Sequence, residues 1–404
     1  MNTNMPTTDG AEQTALSPRV LHLRFIGSGA EYFRIWIVNL ALTLVTLGLY
    51  YPWAKVRRLK YFYNHTLLAD HGFDFHGAPR SMLRGMLLVG VLFFLYSFAS
   101  EFAPLAGLIA AAAVAALWPF LWRMALRFRL VNTSWRGLRF AFVGDVKGAL
   151  VAAGVPTVLL LVPLASASFW YLSDVDPESP QAQAAMIQQG KITLAIFLPW
   201  LLILPWFVWY AERYRRGGFR YAQIATYLTA SAGDVYRLAL KLLGVFFGGF
   251  MLFVPIVLAI VFFPELGGEG GADMSDLLKR GRLALIGGGV MLGYLVMIIV
   301  VRAYAVARMQ NLFWSKTCAP QLTIHSALRF RSMFGLMLKN WLLIVLTLGL
   351  YWPYAAVAMW RMRLAALSLT LTLPVDELVN TLPTAGADSA GEMAADLADF
   401  DFGW

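Results

Sequence analysis

Six stretches of this sequence are each apolar enough and long enough to cross a bilayer. They are Met82–Phe102, Leu105–Leu121, Gly148–Leu172, Thr193–Tyr210, Leu238–Phe263 and Leu283–Val301. A helix rises about 1.5 Å per residue, so about 20 mostly apolar residues span the hydrocarbon core. Inside that core each backbone N–H and C=O must be bonded within the protein, so runs of this kind must be helical. Composition agrees, with 59% of the 404 residues hydrophobic and 14% charged. A soluble domain carries about 25% charged residues, which excludes a string of soluble domains. The net charge is +10. Lys and Arg lie between the apolar runs, so the partner they imply is an anionic lipid headgroup and not a nucleic acid. The single cysteine, Cys318, excludes an internal disulfide, and the first 20 residues lack the apolar core of a cleavable signal peptide.

Two further apolar stretches, Phe33–Trp53 and Met333–Tyr354, end in Gly and Pro. They belong to an internal repeat over 33–68 and 334–369. NLALTLVTLGLYYPWA (Asn39–Ala54) matches NWLLIVLTLGLYWPYA (Asn340–Ala355), pairing Gly48 with Gly349 and Pro52 with Pro353. These repeated helix breaks allow two readings: each segment crosses the membrane, or it dips in and returns, packed in protein. The links between apolar runs alternate in charge. Basic links hold Lys55, Arg57, Arg58 and Lys60, then Arg127 and Arg129, then Arg213, Arg215 and Arg216. The intervening links, Ser173–Lys191 and Pro264–Gly281, are acidic. The positive-inside rule places the basic links in the cytoplasm as one basic layer. Several basic links also hold alternating aromatic runs ending in Gly, such as FDFHG (Phe73–Gly77) and LRFAFVG (Leu138–Gly144), which read as short hairpin strands. The expected fold is an all-α polytopic membrane bundle. It has six transmembrane helices, two repeated Gly/Pro-ended segments that cross or re-enter, and short β-hairpins in the cytoplasmic links. The expected division is a disordered N-terminus over 1–22, a membrane domain over 23–369 and an acidic C-terminal tail over 370–404.

The run from Phe25 to Pro79, with its TLGLYYPWAKVRR core followed by FDFHG, resembles the YjgN-type family of bacterial inner-membrane proteins. NTSWRGLRFAFVG (Asn132–Gly144) and the terminal GEMAADLADFDFGW fit as well. The resemblance covers nearly the whole chain and implies a multi-pass protein of a bacterial inner membrane. The family is of uncharacterised function, so it supplies no substrate and no catalytic residue. One departure is that the second TLGLY copy runs on as AVAMWRMR and not KVRR.

Catalytic and cofactor motifs are absent: there is no HExxH, Walker A loop, GxGxxG or CxxC. No enzyme activity and no cofactor are expected. His65, His71 and His76 with Asp70 and Asp74 are the one group of metal-ligand residue types, but their spacing matches no structural zinc pattern, so a polar hairpin is the preferred reading. Asn39 and Asn340 are polar groups repeated within apolar helices. They serve either as interhelical hydrogen-bond glue, the commoner role, or as a pair lining a substrate path. The apolar spans hold almost no buried charge, which argues against a proton-driven carrier. The function expected is a transporter- or channel-like protein for a small neutral or amphipathic substrate. The alternative is a non-catalytic structural or regulatory protein that binds anionic lipid or a partner through its basic layer. The tail beyond Pro374 holds seven acids and no Lys or Arg, and its end alternates acids with aromatics. It is expected to dock by those aromatics, its acids facing Arg57, Arg58, Arg127 and Arg129.

Overall fold

The computed structural model describes residues 19–102, 104–161, 180–262 and 272–372. Strand β1 (Arg19–Phe25) leads into helices α1 (Gly29–Val45) and α2 (Tyr51–Asn64). Strands β2 (Thr66–Leu68) and β3 (His71–Phe75) lead into α3 (Pro79–Phe102) and α4 (Pro104–Val131). Next come β4 (Thr133–Trp135), β5 (Leu138–Phe142), α5 (Val146–Leu161, with a π turn at Leu150–Gly154) and α6 (Pro180–Gly217). They are followed by β6 (Phe219–Tyr221), β7 (Ile224–Ala225), β8 (Tyr227–Leu228), α7 (Ala232–Phe262) and α8 (Ala272–Ser315). Strands β9 (Thr317–Ala319) and β10 (Leu322–Ser326), helices α9 (Phe330–Leu346) and α10 (Trp352–Ala365), and β11 (Leu367–Leu371) complete the described chain.

The strands form one antiparallel sheet in the order β7-β6-β5-β4-β3-β2-β1-β11-β10-β9-β8. Its two end strands, β7 and β8, are separated in sequence by Thr226 alone, so the sheet closes almost completely into a barrel. The long-range closure is β1 on β11, running from Arg19↔Leu371 to His22↔Ser368. One hydrogen bond recurs where a strand leaves for its helix pair and the returning helix delivers the next strand. Ile26 N–H donates to His65 O (2.9 Å), His76 to Asn132 (2.8 Å), Val143 to Gly218 (2.9 Å), Thr229 to Lys316 (2.8 Å) and Ala327 to Ala366 (2.9 Å). Alternate residues of each strand face inward. Leu21, Leu68, Trp135, Ile224, Ala319 and Leu371 meet in one buried cluster that Leu23, Phe73, Phe140 and Tyr221 pack against.

The recurring Phe-x-Gly pattern has a steric cause. After β1, β3 and β5 the Phe ring folds over the glycine two residues on. A Cβ at Gly27, Gly77 or Gly144 would lie 2.7, 2.5 or 2.6 Å from the ring of Phe25, Phe75 or Phe142. Several outgoing helices then start on a side-chain cap, which satisfies amides that have no helical partner. Ser28 and Glu31 form a reciprocal capping box on α1, Asp145 accepts from Gly148 N–H, and Ser231 pairs with Asp234 at the start of α7.

Among the described residues ten helices make five antiparallel pairs. Each helix packs on the next in chain order, and α10 packs back on α1, so the helices form a second ring standing on the strands. Clusters at the junction of the two rings hold them together. Phe25, Tyr32, Tyr61, Phe62 and Val357 form one, and Val56, Phe75, Met82 and Phe128 another.

Three expectations are corrected. The fold is not an all-α bundle, because a near-closed eleven-stranded sheet organises it. The strands are not short hairpins confined to their links; each pairs with the strands of the neighbouring links in one sheet, a pairing across as much as the β1–β11 separation that local alternation does not encode. The described residues contain four helical segments, not six, that are long and apolar enough to span: Pro79–Phe98, Ile109–Val131, Gln183–Gly217 and Gly287–Ser315. The expected span Gly148–Leu172 is a short apolar helix as far as Leu161, and its remainder lies outside the described residues. The expected span Leu238–Phe263 lies in α7 as far as Phe262; Phe263, and the side chains of α7 beyond Met251, lie outside the description. Of the acidic links, Ser173–Lys191 is described only from Pro180, where α6 begins, and Pro264–Gly281 only from Ala272, where α8 begins; the tail from 373 onward lies outside the described residues.

Candidate functional site

The TLGLY segments do not continue as single helices. At Thr46–Tyr50 the chain reverses, and α2 runs back along α1. Gly48 N–H donates to Thr43 O (2.7 Å) and Leu47 N–H to Leu44 O (3.2 Å), which is the Schellman arrangement that ends a helix. The Thr46 hydroxyl donates to Leu42 O (2.7 Å) and accepts from Tyr50 N–H (3.0 Å), bridging the turn. Pro52 then starts α2, where a missing N–H has no cost. The second copy repeats the turn: Gly349 donates to Ile344 O (2.8 Å), Leu348 to Val345 O (3.2 Å), and Thr347 accepts from Tyr351 N–H (2.9 Å).

One residue in each turn breaks the usual rule. The left-handed position of a Schellman turn is ordinarily glycine, yet here it is Leu47 (φ 51°) and Leu348 (φ 50°), each followed by a glycine at φ 91° or 93°. A leucine held there costs about 1–2 kcal/mol. Both leucine side chains are almost fully exposed, at 95% and 94%, and Leu44, Val45, Leu346 and Leu350 around them are exposed too. The tips are therefore apolar projections built on strained backbone. Sequence reading marked Gly48, Pro52, Gly349 and Pro353 but missed Leu47 and Leu348; the signal available was leucine, not glycine, at the turn position of both copies.

Asn39 and Asn340 are placed within these hairpins and fasten them. Asn39 Nδ2 donates to Ala54 O (3.4 Å) and Asn340 Nδ2 to Ala355 O (3.5 Å), each bond joining the two arms of its own hairpin. Both side chains are buried, and neither Oδ1 has a hydrogen-bond partner. The arms of the two hairpins also meet: Phe33 packs on Tyr354 and Trp36 on Trp352, ring to ring.

The expected basic layer divides into groups. Arg57, Arg58 and Lys60 lie exposed along α2, with Arg58 over the Trp352 ring at 5.7 Å, whereas Lys55 is buried. Arg127 and Arg129 are half-buried on α4, and Arg213 is exposed over Trp209. Arg215 and Arg216 both bind Glu212, at 2.7 and 2.8 Å. Arg216 is 4% exposed, donates to Thr317 (3.1 Å) and lies 4.5 Å over the Trp314 ring, so it locks α6 to α8 and not to a headgroup. On α10, Arg363 Nε donates to Gln310 Oε1 at 2.8 Å, and burial lowers its pKa from the ordinary guanidinium value.

The histidines are held apart. His65 Nδ1 lies 2.7 Å from Tyr61 O, His71 Nδ1 2.7 Å from Ala69 O, and His76 Nε2 2.8 Å from Ser134 Oγ. Among the described residues no group of His, Cys, Asp and Glu is arranged to hold a metal ion. Near the rings Tyr61 donates to Ser28 O (2.8 Å) and to Glu31 (3.1 Å); burial first, then this carboxylate, push the phenol up to about 12. The Ser28 N–H first, then the Tyr61 hydroxyl and the Ser28 side chain, hold Glu31 below the usual carboxylate range.

Spanning helices standing on a strand ring, with two shorter hairpins ending in apolar tips, define a multi-pass membrane protein. The family described as bacterial protein of unknown function (DUF898) matches residues 20–397, and the chain belongs to it. The chain is 25% identical over 350 residues to Inner membrane protein YjgN of Salmonella typhimurium strain LT2, covering 83% of this chain and 85% of that one. It is 30% identical over 152 residues to Inner membrane protein YjgN of Escherichia coli K12, covering 34% of this chain and 37% of that one. No solved structure matches it. It is thus an inner-membrane protein of the YjgN type.

Proposed function

We propose that this protein is a non-catalytic, lipid-binding organiser of the cytoplasmic membrane leaflet. The strand ring lies at the cytoplasmic surface, because the basic links all run through it. The observation that carries the reading is the pair of hairpin tips: strained leucines kept almost fully exposed are stable only against an apolar surrounding, and the hydrocarbon of the bilayer is one. From the start of α2 at Tyr51 to Arg58 is about 10 Å along the helix. With Arg57, Arg58 and Lys60 at the phosphates, the tip then lies about 10 Å inside them, at the boundary of headgroups and acyl chains. The two hairpins in this reading re-enter and do not cross.

The ring interior supports a closed and not a conducting structure. Trp135, at 4% exposure, and the leucines around it fill the space between strands, so an axial path for a small neutral or amphipathic substrate is not favoured. The most apolar stretches of the spanning helices also bury little against the rest of the chain, from 6% to 28% of their residues, leaving most of their surface to lipid.

The test is lipid retention by the full chain in nanodiscs of mixed anionic and zwitterionic lipid, read by native mass spectrometry. Anionic lipid should be enriched over the input ratio, and Arg57→Gln/Arg58→Gln/Lys60→Gln should remove most of the enrichment. Equal retention of both lipid types by the parent chain contradicts the reading.

A further inference from the structure

Strand β1 uses its two edges in different halves. Arg19–His22 pair with β11, while Leu23–Phe25 pair with β2. The second edge of Arg19–His22 borders a cleft of about 190 Å³ that extends to Leu67 and Ala69 and is lined by Arg19, His22 and Arg24 with one acid, Asp70. An unpaired strand edge is a template for an added strand. The cleft wall alternates, with Leu21 buried inward and Val20, His22 and Arg24 exposed outward.

We propose that the end of this same chain, Asp399–Gly403, docks in the cleft as an added strand. Two observations select it. The described chain leaves the ring at Leu371, directly opposite Arg19 in the β1–β11 register, so residues 373–404 start beside the cleft. That stretch carries seven acids and no Lys or Arg, and it ends in DFDFGW, whose alternation is that of a ring strand; Phe400-Asp401-Phe402 repeats Phe73-Asp74-Phe75 of β3. With the same period of two as β1, Phe400 and Phe402 share the side of Leu21, and Asp399 and Asp401 share the side of His22 and Arg24. The intervening residues, with Pro383, Gly386 and Gly391, form a tether whose root-mean-square reach is about 30 Å if flexible. A short tether of this type holds its end at an effective concentration in the mM range, so a weak contact suffices. The basic partners are those of β1, and not the helix arginines 57, 58, 127 and 129.

The test uses the full chain in nanodiscs with Cys318→Ser, carrying His22→Cys and Asp401→Cys. Mild oxidation should form a disulfide within one chain, at least tenfold faster than when the first cysteine is placed at exposed Arg139 on β5. Phe400→Ala/Phe402→Ala should slow it to the Arg139 rate. In a second measurement, hydrogen exchange of the peptide 19–24 should be slower in the full chain than in a chain ending at Thr372. Equal rates at the two cysteine positions, disulfides formed mainly between two chains, or exchange unaffected by the truncation would each overturn the proposal.

Discussion

Gly48→Ala isolates the backbone cost of the hairpin turn. The glycine sits at φ 91°, and a Cβ built on it meets nothing within 4 Å, so the substitution adds no clash and alters no contact. What remains is the cost of a left-handed conformation for an L residue, about 1–2 kcal/mol. Gly90 in α3 is the control. Its added Cβ also meets nothing within 4 Å, but its conformation is helical, and Gly→Ala within a helix gains about 0.5–1 kcal/mol. Two chemically identical changes should therefore move stability in opposite directions, separated by about 1.5–3 kcal/mol. Circular dichroism of the purified chain titrated with a denaturing detergent measures both. Gly349→Ala, at φ 93°, should behave like Gly48→Ala. If Gly48→Ala is as stable as the parent, or moves with Gly90→Ala, the reversal at Thr46–Tyr50 is not the structure the chain adopts.

Other outcomes follow from the ring. Gly144→Ala places a Cβ 2.6 Å from Phe142 and 2.7 Å from Tyr214, an overpacked junction that should cost about 1–3 kcal/mol in the same titration. Trp135→Ala removes the largest side chain of the buried cluster inside the strand ring and should cost about 3–5 kcal/mol, and proteoliposomes of the parent chain should show no leak of small neutral solutes. Tyr221 donates to Trp135 O at 3.0 Å, and burial pushes its phenol up to about 12. A raised phenol pKa favours the neutral form in the fold. Its contribution is complete below pH 10 and is lost as pH rises through about 12. Burial raises Tyr61 in the same way, so ultraviolet titration of the parent should show a late phase whose amplitude falls by one tyrosine in Tyr221→Phe.

The membrane character of this chain was legible because hydrocarbon admits so few backbone solutions that apolar length alone identifies helices. The turn signals were legible for a similar reason: Gly48, Pro52 and their copies do what their backbone limits dictate. The barrel was not, although its strands were visible. FDFHG and LRFAFVG announce strands, but no residue of β1 announces that Arg19 will pair with Leu371, because ladder hydrogen bonds use backbone groups common to all residues. The role of the Phe-x-Gly glycines was hidden likewise, since the ring that excludes a Cβ is placed by the fold. Asn39 and Asn340 were legible as polar groups in apolar helices, while their bonds to Ala54 O and Ala355 O needed the reversal that brings the arms together. Arg216 misled for the opposite reason: in sequence it is one of a cluster of surface cations, and in the fold Glu212, Thr317 and Trp314 enclose it.

The depth of the two tips tests the central claim most directly. With Cys318→Ser as background, nitroxides at Leu47→Cys and Leu348→Cys in reconstituted bilayers can be read by power saturation against oxygen and a water-soluble nickel chelate. Both should report the acyl-chain boundary, with high oxygen and low nickel accessibility, about 10 Å inside the phosphates on the same side of the membrane as a label at Arg139→Cys. Tips fully accessible to the nickel chelate, or placed on the opposite face from Arg139, would contradict it.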